Sequence, residues 1–232
     1  MWLINSSIGR KVVMSVTGIA LILFLTFHAC MNVVALVSAE AYNTVCEMLG
    51  ANWYAVAATV GLGALVVLHF VFAIMLTLQN RKARGASRYA VTAKPDKVEW
   101  TSQNMFVLGL IVVLGIVIHL YHFWYNMMFA ELVNDGYAFV GGLEANDGFG
   151  MIAYTFGNPV NAVLYLVWFA AIWFHMTHGF WSAMQTLGVS GKTWFNRWRC
   201  IGNIYVTVIM LMFAAVVVCF ALCGGAVCHP CC

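Results

Sequence analysis

Long apolar runs separated by short polar stretches dominate the pattern of this chain. A helix that crosses a bilayer needs about 20 mostly apolar residues, each adding about 1.5 Å. Five runs meet that length, at roughly 12–37, 53–78, 105–129, 160–184 and 204–222. The expected fold is therefore all-α, one membrane domain over 1–232, built as a bundle of five transmembrane helices. Asn158 followed by Pro159 predicts the start of the fourth helix, because asparagine caps and proline tolerates the first turn. Residues 130–159 carry glycines, acids and scattered aromatics, and predict a cap or a short interfacial helix.

The polar stretches are sorted by charge. All eleven lysines and arginines lie before span one, between spans two and three, or between spans four and five. Glu40, Glu47, Glu131, Asp135, Glu144 and Asp147 lie in the alternate segments, and only Asp96 and Glu99 share the basic side. The positive-inside rule then predicts a cytoplasmic N-terminus and an outside C-terminus. A count of four or six spans would break this segregation. Composition agrees: 63% of residues are hydrophobic and 8% charged, against roughly 25% charged in soluble domains. The mean hydropathy is +0.89. Among the eight cysteines no zinc, iron–sulfur or CxxCH spacing occurs. The CHPCC tail reads as a frayed end, with metal binding or disulfides as the alternatives.

The candidate chemistry sits inside the spans. Residues 21–32 read LILFLTFHACMN, which puts His28 in a run otherwise suited to lipid. His69, His119 and His175 occupy the next three spans in the same way. An ionisable side chain in a membrane is costly and marks function by default. Each can be placed by depth. His28 and His119 both lie twelve residues before the first acid of the following loop, Glu40 and Glu131. His69 lies twelve before Arg81, the first base on the other side. The four sort into an outer pair, His28 with His119, and an inner pair, His69 with His175. Two imidazoles at one depth on two helices are what a b-type haem iron needs, so two haems b are expected. His122 and His178 each follow a candidate by three residues and are open as alternative ligands or as supporting hydrogen-bond donors. Gly18, Gly61, Gly63, Gly109, Gly115 and Gly179 lie along the same helices, where small residues admit close approach.

The motifs resemble a known family. SIGRKVVMSVTG at 7–18, IHLYHFW at 118–124 and HMTHG at 175–179 look like those of the dihaem cytochrome b anchor of succinate dehydrogenases and fumarate reductases, in its single-chain, five-helix form. HGFWSAMQTLG at 178–188 is similar to the branch found in anaerobic and gliding-type bacteria. The resemblance covers nearly the whole chain. It favours His119 over His122 and His175 over His178. It implies that His28 and His119 hold the haem distal to the soluble subunits, and His69 and His175 the proximal one. It places Ser15 near a proximal-haem propionate and the quinone site near the distal haem, where Glu47 is the nearest acid. The expected partners are lipid, a membrane quinone such as menaquinone, and cytoplasmic iron–sulfur and flavoprotein subunits that carry the dicarboxylate chemistry. A dimer of complexes stays open, and no nucleic acid is expected. The location implied is the bacterial inner membrane. Some relatives carry a proton-conducting glutamate two residues before the fourth-span ligand; Trp173 stands there, and no acid lies within any span. A cytochrome b anchor of a hydrogenase or formate dehydrogenase and a haem-free, histidine-lined transporter are the competing expectations.

Overall fold

A computed structural model of the chain describes residues 6–84 and 100–223. The described residues are helical, without strands. The helices are α1 (Ser7–Val33, continued by a 3-10 turn, Val34–Leu36), α2 (Ala39–Met48), α3 (Trp53–Arg84), α4 (Trp100–Val133), α5 (Gly148–Phe156), α6 (Pro159–Thr186) and α7 (Lys192–Leu222). Five of them, α1, α3, α4, α6 and α7, are long and apolar enough to cross a membrane. Their basic-side ends run past the predicted spans: α1 begins at Ser7, α3 ends at Arg84, α4 begins at Trp100 and α7 begins at Lys192. The extra turns carry Arg10, Lys11, Arg81, Lys82, Arg84, Lys192, Arg197 and Arg199. A helix need not stop where its apolar run stops, because charged turns continue it into water. Arg88, Lys94, Pro95, Asp96, Lys97, Glu99 and the CHPCC tail lie outside the described residues.

Local chemistry starts these helices. The Ser6 hydroxyl accepts from Gly9 N at 2.9 Å and Ser38 from Ala41 N at 3.1 Å. Asp147 accepts from Gly150 N and Asn158 from Val160 N, both at 2.9 Å. Each side chain satisfies one of the unpaired amides of a first turn. Pro159 occupies the first turn of α6, where it is expected.

Four of the spans form a ring in the order α3, α1, α6, α4. The α3–α4 side of the ring is thin, and α7 packs outside it against α6 and α1. The core lies on that α6–α7 side, around Tyr165, Phe169, Ile172, Val206, Ile209 and Phe213. Trp173 donates to Thr207 at 2.9 Å across the same seam. Trp168 donates to Val112 O of α4 at 3.1 Å, and its indole fills the space that a side chain at Gly115 would need. α3 contributes little to the core and touches chiefly α1.

The acidic segments form a cap. α2 and α5 pack on each other, and α5 is almost wholly buried. Asn43 locks them together: it donates to Asp147 at 2.9 Å and accepts from Phe149 N at 2.8 Å. The predicted short helix in 130–159 is α5, a buried part of the fold.

Candidate functional site: two histidine pairs across the ring

The α3–α1–α6–α4 ring has two diagonals, α1 to α4 and α3 to α6. Neither diagonal is a packed helix pair. Both are bridged by histidines. His28 of α1 faces His119 of α4 with ring centres 5.8 Å apart and planes at 82°. His69 of α3 faces His175 of α6 at 6.4 Å and 70°. The depth reading thus brings together the residues it paired.

The distances have chemical content. An imidazole nitrogen lies about 1.1 Å from its ring centre and a metal–nitrogen bond is about 2.0–2.1 Å, so two imidazoles on opposite sides of one metal have centres about 6.3 Å apart. The two observed separations lie on either side of that value. Among the described residues, no third His, Cys, Asp or Glu joins either pair to make a metal site. A bare ion held by protein takes three or four such ligands. Two facing imidazoles suit a metal that brings its other ligands with it, as a macrocycle does.

Polar bookkeeping points the same way. Thr17 of α1 is buried, and its hydroxyl donates to Val13 O at 2.9 Å or Met14 O at 3.1 Å. The oxygen lies 3.0 Å from His69 Nδ1. With its own hydrogen directed to the backbone, that oxygen is placed to accept from Nδ1–H. In that tautomer His69 Nε2 carries no hydrogen and is free to act as a donor atom to a metal. His119 Nδ1 and His175 Nδ1 are buried without hydrogen-bond partners. A buried polar atom of this kind costs about 1–3 kcal/mol, so the four-histidine set carries a cost that tight packing alone does not explain.

Two glycines face the inner pair. A side chain at Gly18 would begin 3.3 Å from His69 Cε1, and one at Gly109 would begin 3.6 Å from His175 Cε1. Gly18 precedes His28 by ten residues, and Gly109 precedes His119 by ten. Each outer-pair helix therefore passes the inner pair one fixed interval earlier. Ten residues of helix span about 15 Å, which is the axial offset between the two pairs.

The other candidates fall around these pairs. His122 does not face His28; its Nδ1 lies 3.2 Å from the Tyr165 hydroxyl, and the two rings stack. Tyr165 and Trp168 in turn wall His119. His178 packs edge-on against Trp181. Ser15 is buried on α1, two residues before the hydroxyl that reaches His69. Glu47 is exposed on α2, in an open cleft with Glu40, Glu144 and Asp147. Trp173, the residue two before His175, is turned to α7.

Three participants were absent from the sequence reading: Thr17, Asn32 and Tyr165. Thr17 adjoins Gly18 and Asn32 lies one turn after His28, both polar residues in an apolar run, whereas Tyr165 lies ten residues before His175 and carries no such signal. Beside His119 the helix is π-helical over Leu120–Phe129, with Asn126 buried and donating to Tyr121 O at 2.9 Å. Such widened turns are frequent at functional sites. Comparison of the chain with protein-family models, with curated proteins and with solved structures finds no match.

Proposed function

We propose that this chain is a dihaem cytochrome b membrane anchor of the succinate dehydrogenase and fumarate reductase type. The observation that carries the reading is the pair of histidine bridges, each across a diagonal of the helix ring. His28 and His119 hold one haem b, and His69 and His175 the other. When bound, each group would supply one-electron transfer at a potential set by its two histidines and their surroundings. The protein's part is position. Four helices hold the ligands, Thr17 sets the tautomer of His69, and the glycines at 18 and 109 leave room beside the inner imidazoles.

The charge pattern orients the proposal. The basic ends face the cytoplasm, where iron–sulfur and flavoprotein subunits dock; the acidic cap faces outward. Cys223, at the end of α7, is disulfide-bonded, which suits an oxidising outer compartment. Menaquinol exchanges electrons near the outer pair, and its protons leave toward the cap, where Glu47 stands in water. His122 and Tyr165, hydrogen-bonded beside His119, are donors in reach of that region. The dicarboxylate chemistry belongs to the partner subunits.

The test is a reduced-minus-oxidised spectrum with haem quantitation on the purified complex and on His28→Ala and His69→Ala. Two b haems per chain, each variant losing a different one, support the reading. Co-purifying subunits that oxidise hydrogen or formate would move the chain to another class of cytochrome b anchor. A haem-free intact complex would sink the cytochrome and leave the transporter reading.

A further inference from the structure

The basic end of α7 is built from bases and rings together. Lys192, Arg197 and Arg199 fall within its first eight residues. The Arg197 guanidinium carbon lies over the Trp194 ring, 5.1 Å from its centre. Trp194 also meets Trp198, with ring centres 5.7 Å apart and planes at 34°. Trp198 is fixed in turn, because its indole nitrogen donates to Val189 O of the α6–α7 loop at 3.0 Å. Arg199 takes another direction: it lies over Phe195, whose ring packs against Trp181 of α6. Arg197 is therefore the base on the outward side of this platform, and it is exposed.

The face that carries Arg197 continues down α7 as an apolar stripe. Trp194, Arg197, Ile201, Ile204 and Val208 recur at spacings of three and four, so they share one side of the helix. All five are exposed. From Arg197 to Val208 the helix rises about 16 Å, close to the hydrocarbon depth of one leaflet, about 15 Å. No described acid stands near the basic end, since every described Asp and Glu belongs to the opposite, cap end.

We propose that this face of α7 binds one anionic phospholipid, with its phosphate at Arg197 and its acyl chains along Ile201, Ile204 and Val208. A guanidinium laid on a ring by its flat face keeps its N–H edges for an anion, and a phosphate takes them in pairs. Trp194 thus holds the charge of Arg197 in place and leaves its donors outward. The indole pair stands at the basic end of the stripe, where aromatic rings gather between acyl chains and headgroups. A soluble partner or a free phosphate would use the basic turn alone. An anionic lipid uses the whole stripe, because it changes from charged to apolar at the same level as the residues do. Charge complementarity selects the headgroup: one base near a membrane surface favours an anionic lipid by about fivefold.

None of this depends on the dihaem reading. Native mass spectrometry of the purified protein with its co-purifying subunits, in neutral detergent, is titrated with phosphatidylglycerol and separately with phosphatidylcholine. It counts the bound lipids and gives the affinity of the first. Wild type should prefer phosphatidylglycerol. Arg197→Gln should reduce that preference about fivefold. Trp194→Leu, which keeps every charge, should reduce it as well. Lys82→Gln removes an exposed base from the end of α3 on the same side and should leave the preference unchanged. Glycerophosphoglycerol, the headgroup without its chains, should not displace the lipid. Equal losses in Arg197→Gln and Lys82→Gln would mean a diffuse attraction and overturn the site. Displacement by glycerophosphoglycerol or inorganic phosphate would overturn it in favour of a free anion. Loss of co-purifying subunits from Arg197→Gln at unchanged phosphatidylglycerol affinity would overturn it in favour of protein docking.

Discussion

Thr17→Val is the sharpest perturbation of the inner pair. It replaces a hydroxyl by a methyl of nearly the same shape and removes the one atom that accepts from His69 Nδ1 at 3.0 Å. A hydrogen bond of this type contributes about 0.5–1.5 kcal/mol net. If all of it favours the oxidised haem, its loss raises the inner midpoint by about 20–60 mV, since a tenfold one-electron preference equals about 59 mV. The direction is upward because a less basic imidazole stabilises the oxidised iron less. Thr17→Ser restores the oxygen and returns the midpoint to within a few millivolts of wild type, on the order of measurement error. The assay is an optical redox titration of both b haems, with His69→Ala identifying which is inner. Removal of the hydroxyl without a shift of the inner midpoint, or a shift of the outer midpoint alone, refutes the assignment of Thr17 as the tautomer-fixing acceptor.

Further outcomes follow from the same contacts. Gly18→Leu places a branched side chain where the first carbon already meets His69 Cε1 at 3.3 Å; the complex should keep the outer haem and lose the inner one in haem quantitation. Burial raises the Cys46 thiol from its ordinary 9.0 to about 11, so at pH 8 about one molecule in a thousand is thiolate and maleimide labelling should climb tenfold per pH unit up to about 11. Because the unfolded chain ionises this thiol first, its share of stability is complete below pH 9.0 and lost as pH rises toward 11, readable as a falling melting temperature. α3 touches chiefly α1 and meets its diagonal partner α6 through His69 and His175. Hydrogen exchange in α3 should therefore be faster in haem-starved protein, and equal protection in both preparations would show that the cofactor does not brace it.

Five spans and the two histidine pairings were legible because each is written in a single periodic variable. Span number follows from apolar length and alternating loop charge, and depth follows from counting residues to the first charge. The partners of the histidines were not legible from counting, because they depend on which helices are neighbours. Ser15 and Thr17 both lie in the opening motif, yet only packing shows that Thr17 carries the oxygen nearest His69. The family resemblance implies a different role for Ser15, near a haem propionate. His122 and His119 share a run, and it is His28, facing His119 across the ring, that separates them. The basic-side helix ends extended past the predicted spans for a simpler reason: hydropathy marks where lipid ends, and backbone hydrogen bonding continues beyond it.

The diagonal arrangement has a consequence for how the two sites depend on each other. If each pair were built from adjacent helices, a change in one pair would leave the other largely alone. Here α1 carries His28 and also supplies Thr17 and Gly18 to His69. α4 carries His119 and also lays Gly109 against His175. The same ten-residue interval recurs on both helices, so a rotation or slide of either one alters both sites together. That coupling fixes the offset of about 15 Å between the pairs more firmly than either pair alone could. If the two pairs hold the proposed haems, electron transfer between them needs a constant separation. In this chain the separation is set by the covalent spacing of residues 18 to 28 and 109 to 119 along two helices, against which α3 and α6 bring His69 and His175.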